Sequence, residues 1–251
     1  MKRALVAAAL AILAGTPAGS QWKVPWAYTG PRGAEHWAEL DPSYAACNGK
    51  EQSPVDIHGA VKAKLPLLQF EYKSQPLRYL INNGYTVRIN YHDAPGTGSA
   101  LVVDGERYQL TQLHFHRPSE ETLDGKSAPR VLHLMHTSAS GKVVGVAVLL
   151  KEGKPNATVQ QIWDHMPMLK GDEHEVPGVA IDPAGMLPAA LGYYSYIGSV
   201  TAPPCTEGVE WFVLKTPVEV SPEQVDAFAR LYPHDVRPVQ PLNGRVIHES
   251  E

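Results

Sequence analysis

The stretch Leu110-Thr111-Gln112-Leu113-His114-Phe115-His116 decides how the chain is read. Its residue types suit an extended strand, in which successive side chains point to opposite faces. His114 and His116 then project side by side from one face, while Phe115 points into a core on the other. A second stretch, Val131-Leu132-His133-Leu134-Met135-His136, reads as the next strand. Its two histidines are three residues apart and must face opposite ways. Only one of them can join the first pair, and parity alone leaves open which.

Working outward, residues 143–150 are almost entirely apolar, as expected of a central strand buried on both faces. Residues 77–81 and 86–91 flank Asn82-Asn83-Gly84, a turn signal, and Val87, Ile89 and Tyr91 alternate with Arg88 and Asn90. Residues 100–103 and 210–214 are further strand candidates. Ser221-Pro222-Glu223-Gln224 combines an N-cap, a proline at the first helical position and a capping-box glutamine. A second helix is expected over 156–166, with Val159, Ile162, Trp163 and Met166 on one face. The Gly- and Pro-rich residues 167–191 read as surface loop. The expected architecture is mostly β (α+β): one domain over 21–251, on a large, mainly antiparallel twisted central sheet with short peripheral helices.

The first twenty residues are set apart. Lys2 and Arg3, an apolar run over 4–14, and the small residues Ala18, Gly19 and Ser20 follow the order of a signal peptide. The run is shorter than the roughly 20 residues needed to span a bilayer. No other long apolar run exists, so no stable membrane span is expected after cleavage. The net charge of −4 is scattered in both signs, which predicts no nucleic-acid partner. Cys47 and Cys205 are the only cysteines, and in an exported chain they read as one disulfide.

Three neutral imidazoles with one open position are the donor set of a catalytic zinc ion. Such an ion lowers the pKa of bound water to about 7. Gln112-Leu113-His114-Phe115-His116, then Pro118-Ser119-Glu120, then His133-Leu134-Met135-His136 resemble the signature of the alpha-class carbonic anhydrases, of the bacterial exported type. Three further blocks agree in order: residues 49–57, 196–205 and 237–245. The resemblance runs from about Trp26 to Arg245.

The resemblance implies reversible hydration of carbon dioxide to bicarbonate, with one zinc ion held by His114, His116 and His133. It chooses His133 over His136. It implies that Glu120 and Thr201 form a gate that orients the attacking hydroxide. Thr201 and Ala202 would border the substrate, and Met135, Val200 and Trp211 would form its apolar wall. Gln112 would accept from a ligand imidazole and fix its tautomer, Tyr28 would join the solvent network, and a Cys47–Cys205 disulfide would tie the N-terminal region to the Thr201 loop. Sulfonamides or small anions are the implied inhibitors. A periplasmic location is implied.

Three departures from the family pattern matter. Tyr85 stands where fast members carry a proton-shuttling histidine, and phenols ordinarily titrate near 10, far from neutrality. Slower, proton-transfer-limited turnover is expected, with Tyr85 the nominal carrier. Val131 stands where a glutamate usually supports the third ligand, so weaker zinc retention is expected. Glu121 replaces a histidine and Ala202 a threonine; on strand parity, Glu121 should face away from Glu120. The rival reading is a catalytically weak or silent zinc-binding member of the same fold. Ester hydrolysis is at most side chemistry.

Overall fold

Residues 24–251 are described by a computed structural model, and within them eleven strands form one large sheet. The expected leader, 1–20, lies outside the described residues. The strands are β1 (Val61–Ala63), β2 (Gln69–Glu71), β3 (Leu80–Asn82), β4 (Val87–Asn90), β5 (Ala100–Val103), β6 (Glu106–His116), β7 (Arg130–Ser138), β8 (Val143–Glu152), β9 (Tyr193–Ser199), β10 (Glu207–Val220) and β11 (His248–Ser250). Their order across the sheet is β1-β11-β9-β10-β8-β7-β6-β4-β3, with β5 on β6 and β2 on β5. Most pairs are antiparallel, as expected; β8–β10 and β1–β11 are parallel.

β8 is central, as its unbroken apolar run predicts, and is buried along most of its length. Its faces serve two different layers. Val146 and Val148 join Leu113, Phe115, Leu132, Leu134, Phe212 and Leu214 in the larger core. That core is closed by α2 (Ala157–Trp163) and α3 (Pro222–Ala229), through Val159, Ile162, Trp163, Val225 and Phe228. The capping box expected from Ser221 and Gln224 is present, and Asn156, expected inside the second helix, instead caps it by accepting from Val159 N–H. Ala147 and Leu149 face the other way, with Val131, Met135, Trp211 and Val213.

That second face is the floor of the site, and its shape depends on one glycine. Gly145 lies opposite Trp211 in the β8–β10 ladder. A Cβ on Gly145 would come within 2.7 Å of the indole. The missing side chain leaves the space that the Trp211 ring occupies.

A third cluster closes the mouth. Trp26, Trp37, Tyr44, Cys47 and Cys205 pack together, with Tyr28, Tyr85 and Ala202 against them. The short helix α1 (Trp37–Leu40) and the 3-10 helix Pro42–Asn48 hold this cluster. Cys47 and Cys205 are disulfide-bonded across 158 residues of sequence. The expected loop 167–191 contains a short strand, Ala180–Ile181, and a 3-10 turn, Pro183–Met186.

Candidate metal centre

The β6–β7 register brings the third imidazole to the first two. His133 pairs directly with His114, so both project from the same face. A bulge follows between Met135 and His136, where Thr111 is the extra residue on β6. His136 faces the opposite layer, where its Nε2 lies 2.8 Å from the Tyr72 hydroxyl. Parity left two candidates; the register brings His133, and not His136, to the pair.

In each of the three rings one nitrogen is engaged and the other is left. His114 Nδ1 lies 3.1 Å from Gln112 Oε1, an acceptor that fixes the proton on Nδ1. His116 Nδ1 lies 2.6 Å from the backbone carbonyl of Asp235. His133 Nε2 lies 3.0 and 3.2 Å from the two oxygens of Glu121. The remaining nitrogens of His116 and His133 are buried with no hydrogen-bond partner. One nitrogen from each ring falls within 4.8 Å of the others. Unpartnered buried imidazole nitrogens are costly unless something accepts their lone pairs. A divalent cation with an affinity for nitrogen fits that arrangement.

The charges around the rings are unusual. Burial, then the neighbouring imidazoles, hold His114 and His116 well below the usual histidine range. Burial opposes charge on His133 too, but the Glu121 and Glu120 carboxylates outweigh it and raise this ring. Burial pushes the Glu120 carboxyl up to about 7. Burial likewise raises Asp235 well above the ordinary carboxylate range. His114, His116, Glu120 and Asp235 thus favour their neutral forms, and only His133 among these groups is drawn toward charge. A cation among them would reverse that balance and favour the carboxylates.

Glu120 is held from two sides. Its Oε1 accepts the backbone N–H of Arg237 at 2.9 Å, and the Thr201 side chain hydrogen-bonds to the carboxylate. Its Oε2 lies 3.4 Å from His116 Nε2. The Thr201 loop is fixed by the Cys47–Cys205 disulfide, by Val200 N–H to the Thr206 carbonyl, and by Ser53 at Ser199.

Above the rings is a pocket of about 340 Å³. Met135, Val143, Val200 and Trp211 line one side, with the Trp211 ring 4.7 Å from that of His133. Thr201 and Ala202 border it, as do Tyr28, Tyr85 and Arg88. Tyr28 stands perpendicular to the His116 ring at 6.5 Å. Tyr85 stacks on Trp26 at 4.0 Å, and its hydroxyl accepts the Trp26 backbone N–H.

Two expectations about Glu121 and His133 are corrected. β6 ends at His116, so residues 117–121 do not alternate as a strand does. Glu121 therefore faces inward beside Glu120, and both side chains are fully buried. His133 is not short of a carboxylate: Glu121 supplies what Val131 does not. The sequence reading also missed Asp235, whose carbonyl meets His116, and Val143 in the pocket wall. Asp235 sits just before the Arg237-Pro238 block, but nothing in its residue type marks a backbone carbonyl as the partner. Val143 begins a strand already assigned to the core.

Three imidazoles turned on one point beneath an apolar wall, His116 and His133 buried and His114 partly so, form a donor set that could hold a metal ion. The chain matches the eukaryotic-type carbonic anhydrase family over residues 32–251. A carbonic anhydrase of Nostoc sp. is 41% identical over 233 residues, covering 90% of this chain and 86% of the relative. One from Pectobacterium atrosepticum is 38% identical over 241 residues, covering 95% and 96%. The alpha-carbonic anhydrase of Thermovibrio ammonificans, solved with the inhibitor sulfanilamide, superposes with a TM-score of 0.84 at 40% identity, over 91% of this chain and 99% of that one. The chain belongs to the eukaryotic-type, or alpha, carbonic anhydrase family.

Proposed function

We propose that this chain reversibly hydrates carbon dioxide to bicarbonate and a proton, using one zinc ion held by His114, His116 and His133. The observation that carries the reading is the set of three rings, each anchored at one nitrogen and converging at the other. Zinc, when bound there, supplies a hydroxide nucleophile at neutral pH.

The chain's own residues do the rest. Gln112, the Asp235 carbonyl and Glu121 fix which ring nitrogen carries the proton and aim the other. Glu120, once ionised beside a cation, accepts the hydrogen bond of the Thr201 hydroxyl. A hydroxyl whose proton is committed to Glu120 presents only lone pairs to the pocket. It can therefore accept from the nucleophile and turn it toward the substrate carbon, a positioning effect. Carbon dioxide is apolar overall and needs no strong polar hook, so Met135, Val143, Val200 and Trp211 suffice to hold it. Ala202 removes a hydroxyl beside Thr201 and leaves fewer polar contacts for bicarbonate.

Among the described residues lining the pocket, the three ligand histidines are the only imidazoles. The proton of each turnover then passes through ordered water, or past Tyr85, to external buffer. Sulfonamides are expected to inhibit at the same centre, on the likeness to the sulfanilamide complex. The Cys47–Cys205 disulfide suits an oxidising compartment, and with the leader it supports secretion to a periplasm. No described helix is long and apolar enough to cross a membrane.

The test is His116→Ala. It should abolish both zinc retention and hydration while the fold, read by circular dichroism, persists. Hydration at the parental rate in that variant would overturn the reading.

A further inference from the structure

We propose that Glu121 is the positioning residue for His133, so that support for this ligand reaches it from the loop after β6 and not from its own strand. The inference deepens the zinc reading and rests on it.

Val131 and His133 lie two apart on β7 and share a face. Val131 is fully buried among Val55, Ile57, Leu149 and Val209 and offers no acceptor. Glu121 reaches the same ring from the side. Both of its oxygens lie within hydrogen-bond distance of Nε2, at 3.0 and 3.2 Å, and neither Glu121 nor His133 is exposed. That leaves Nδ1 of His133, buried and unpartnered, as the atom turned to the other two rings.

The loop is braced to hold Glu121 there. Ser119 Oγ donates to the Glu121 carbonyl at 2.7 Å and accepts Ala128 N–H at 2.8 Å. Ser119 N–H donates to the Ala128 carbonyl at 2.9 Å. The segment preceding β7 thus locks the segment following β6. A fully buried carboxylate is costly without a compensating charge. Glu121 finds it through the imidazole, in the carboxylate–histidine–metal arrangement that orients a ligand and raises its basicity.

The pairing predicts a transposition. Glu121→Ala should release zinc to a chelator about 10- to 100-fold faster than the parent, the usual effect of losing such a partner. Adding Val131→Glu to Glu121→Ala should bring the release rate back to within about threefold of the parent. Nitrogen-15 NMR of the metal-free parent, at alkaline pH where the ring is neutral, should show His133 with its proton on Nε2, a signature that Glu121→Ala loses. If Glu121→Ala does not fold, Glu121→Gln is measured in its place. It keeps an oxygen acceptor without the charge, and should give an intermediate release rate. A folded Glu121→Ala or Glu121→Gln that keeps the parental release rate and the parental tautomer would overturn the proposal. So would a double variant that releases zinc no more slowly than Glu121→Ala. A parent that binds no zinc would instead sink the functional reading, and the NMR signature would still report on the pair.

Discussion

Tyr85 shows what a single residue decides here. It lines the pocket, stacked on Trp26, with Lys170 Nζ 5.8 Å from its ring centre. An imidazole at this position would place a group that titrates near neutrality in the pocket lining, apart from the metal ligands. Tyr85→His should therefore raise maximal turnover in dilute buffer, and the parent should be accelerated by added imidazole more than the variant is. Stopped-flow hydration at several buffer concentrations checks both; no difference between the two proteins would remove proton transfer from the account. The ligand histidines were legible at this scale because strand alternation is local. His-x-His needs only a strand, and the family pattern supplied the choice of His133. Glu121 was not legible. Its direction depends on β6 stopping at His116, and strand ends are poorly marked in sequence.

At the scale of elements, the site rests on the neighbouring strands β6, β7, β8 and β10, and the contact between β8 and β10 is the most demanding. Gly145 leaves the space that Trp211 fills. Gly145→Ala should push the indole toward His133, costing about 1–3 kcal/mol of stability, as overpacking usually does, and lowering hydration as the wall shifts. Urea unfolding and hydration measured on the same sample test this; an unchanged stability would mean that Trp211 has room to move. β8, α2 and α3 were readable because a long apolar run, an apolar face at helical spacing and a capping box are local signals. β1, β2 and β11 escaped notice because each is three residues long. β9 escaped notice because its second half lies in the block 196–205, which carries the family resemblance and not a strand pattern; it runs to Ser199, immediately before the residues that border the pocket. The parallel β8–β10 pair was not readable at all, since no local pattern encodes which distant strand becomes a neighbour.

For the whole molecule, the opposite layer carries its own ionisable cost. Burial, against backbone carbonyls of Val144 and Leu134 that favour the charged ring, leaves the His136 imidazole pushed down to about 3. An unfolded chain takes up a proton on such a ring below about 6.5. Between these values unfolding binds a proton, so stability falls as pH drops from about 6.5 toward 3. The full effect is on the order of 5 kcal/mol, fully present only above the unfolded value. Metal-free parent and His136→Gln, unfolded in urea at pH 7 and pH 4.5, should differ in slope, with the variant less acid-sensitive. Equal slopes would mean that His136 is not held neutral.

The central claim is that this three-histidine centre holds zinc and hydrates carbon dioxide. The most direct measurement takes one purified sample and determines metal content and hydration rate together, with and without sulfanilamide. The account predicts one zinc per chain and buffer-dependent hydration that sulfanilamide and chelation both abolish. Zinc absent, or one zinc per chain with no hydration above background, would contradict it.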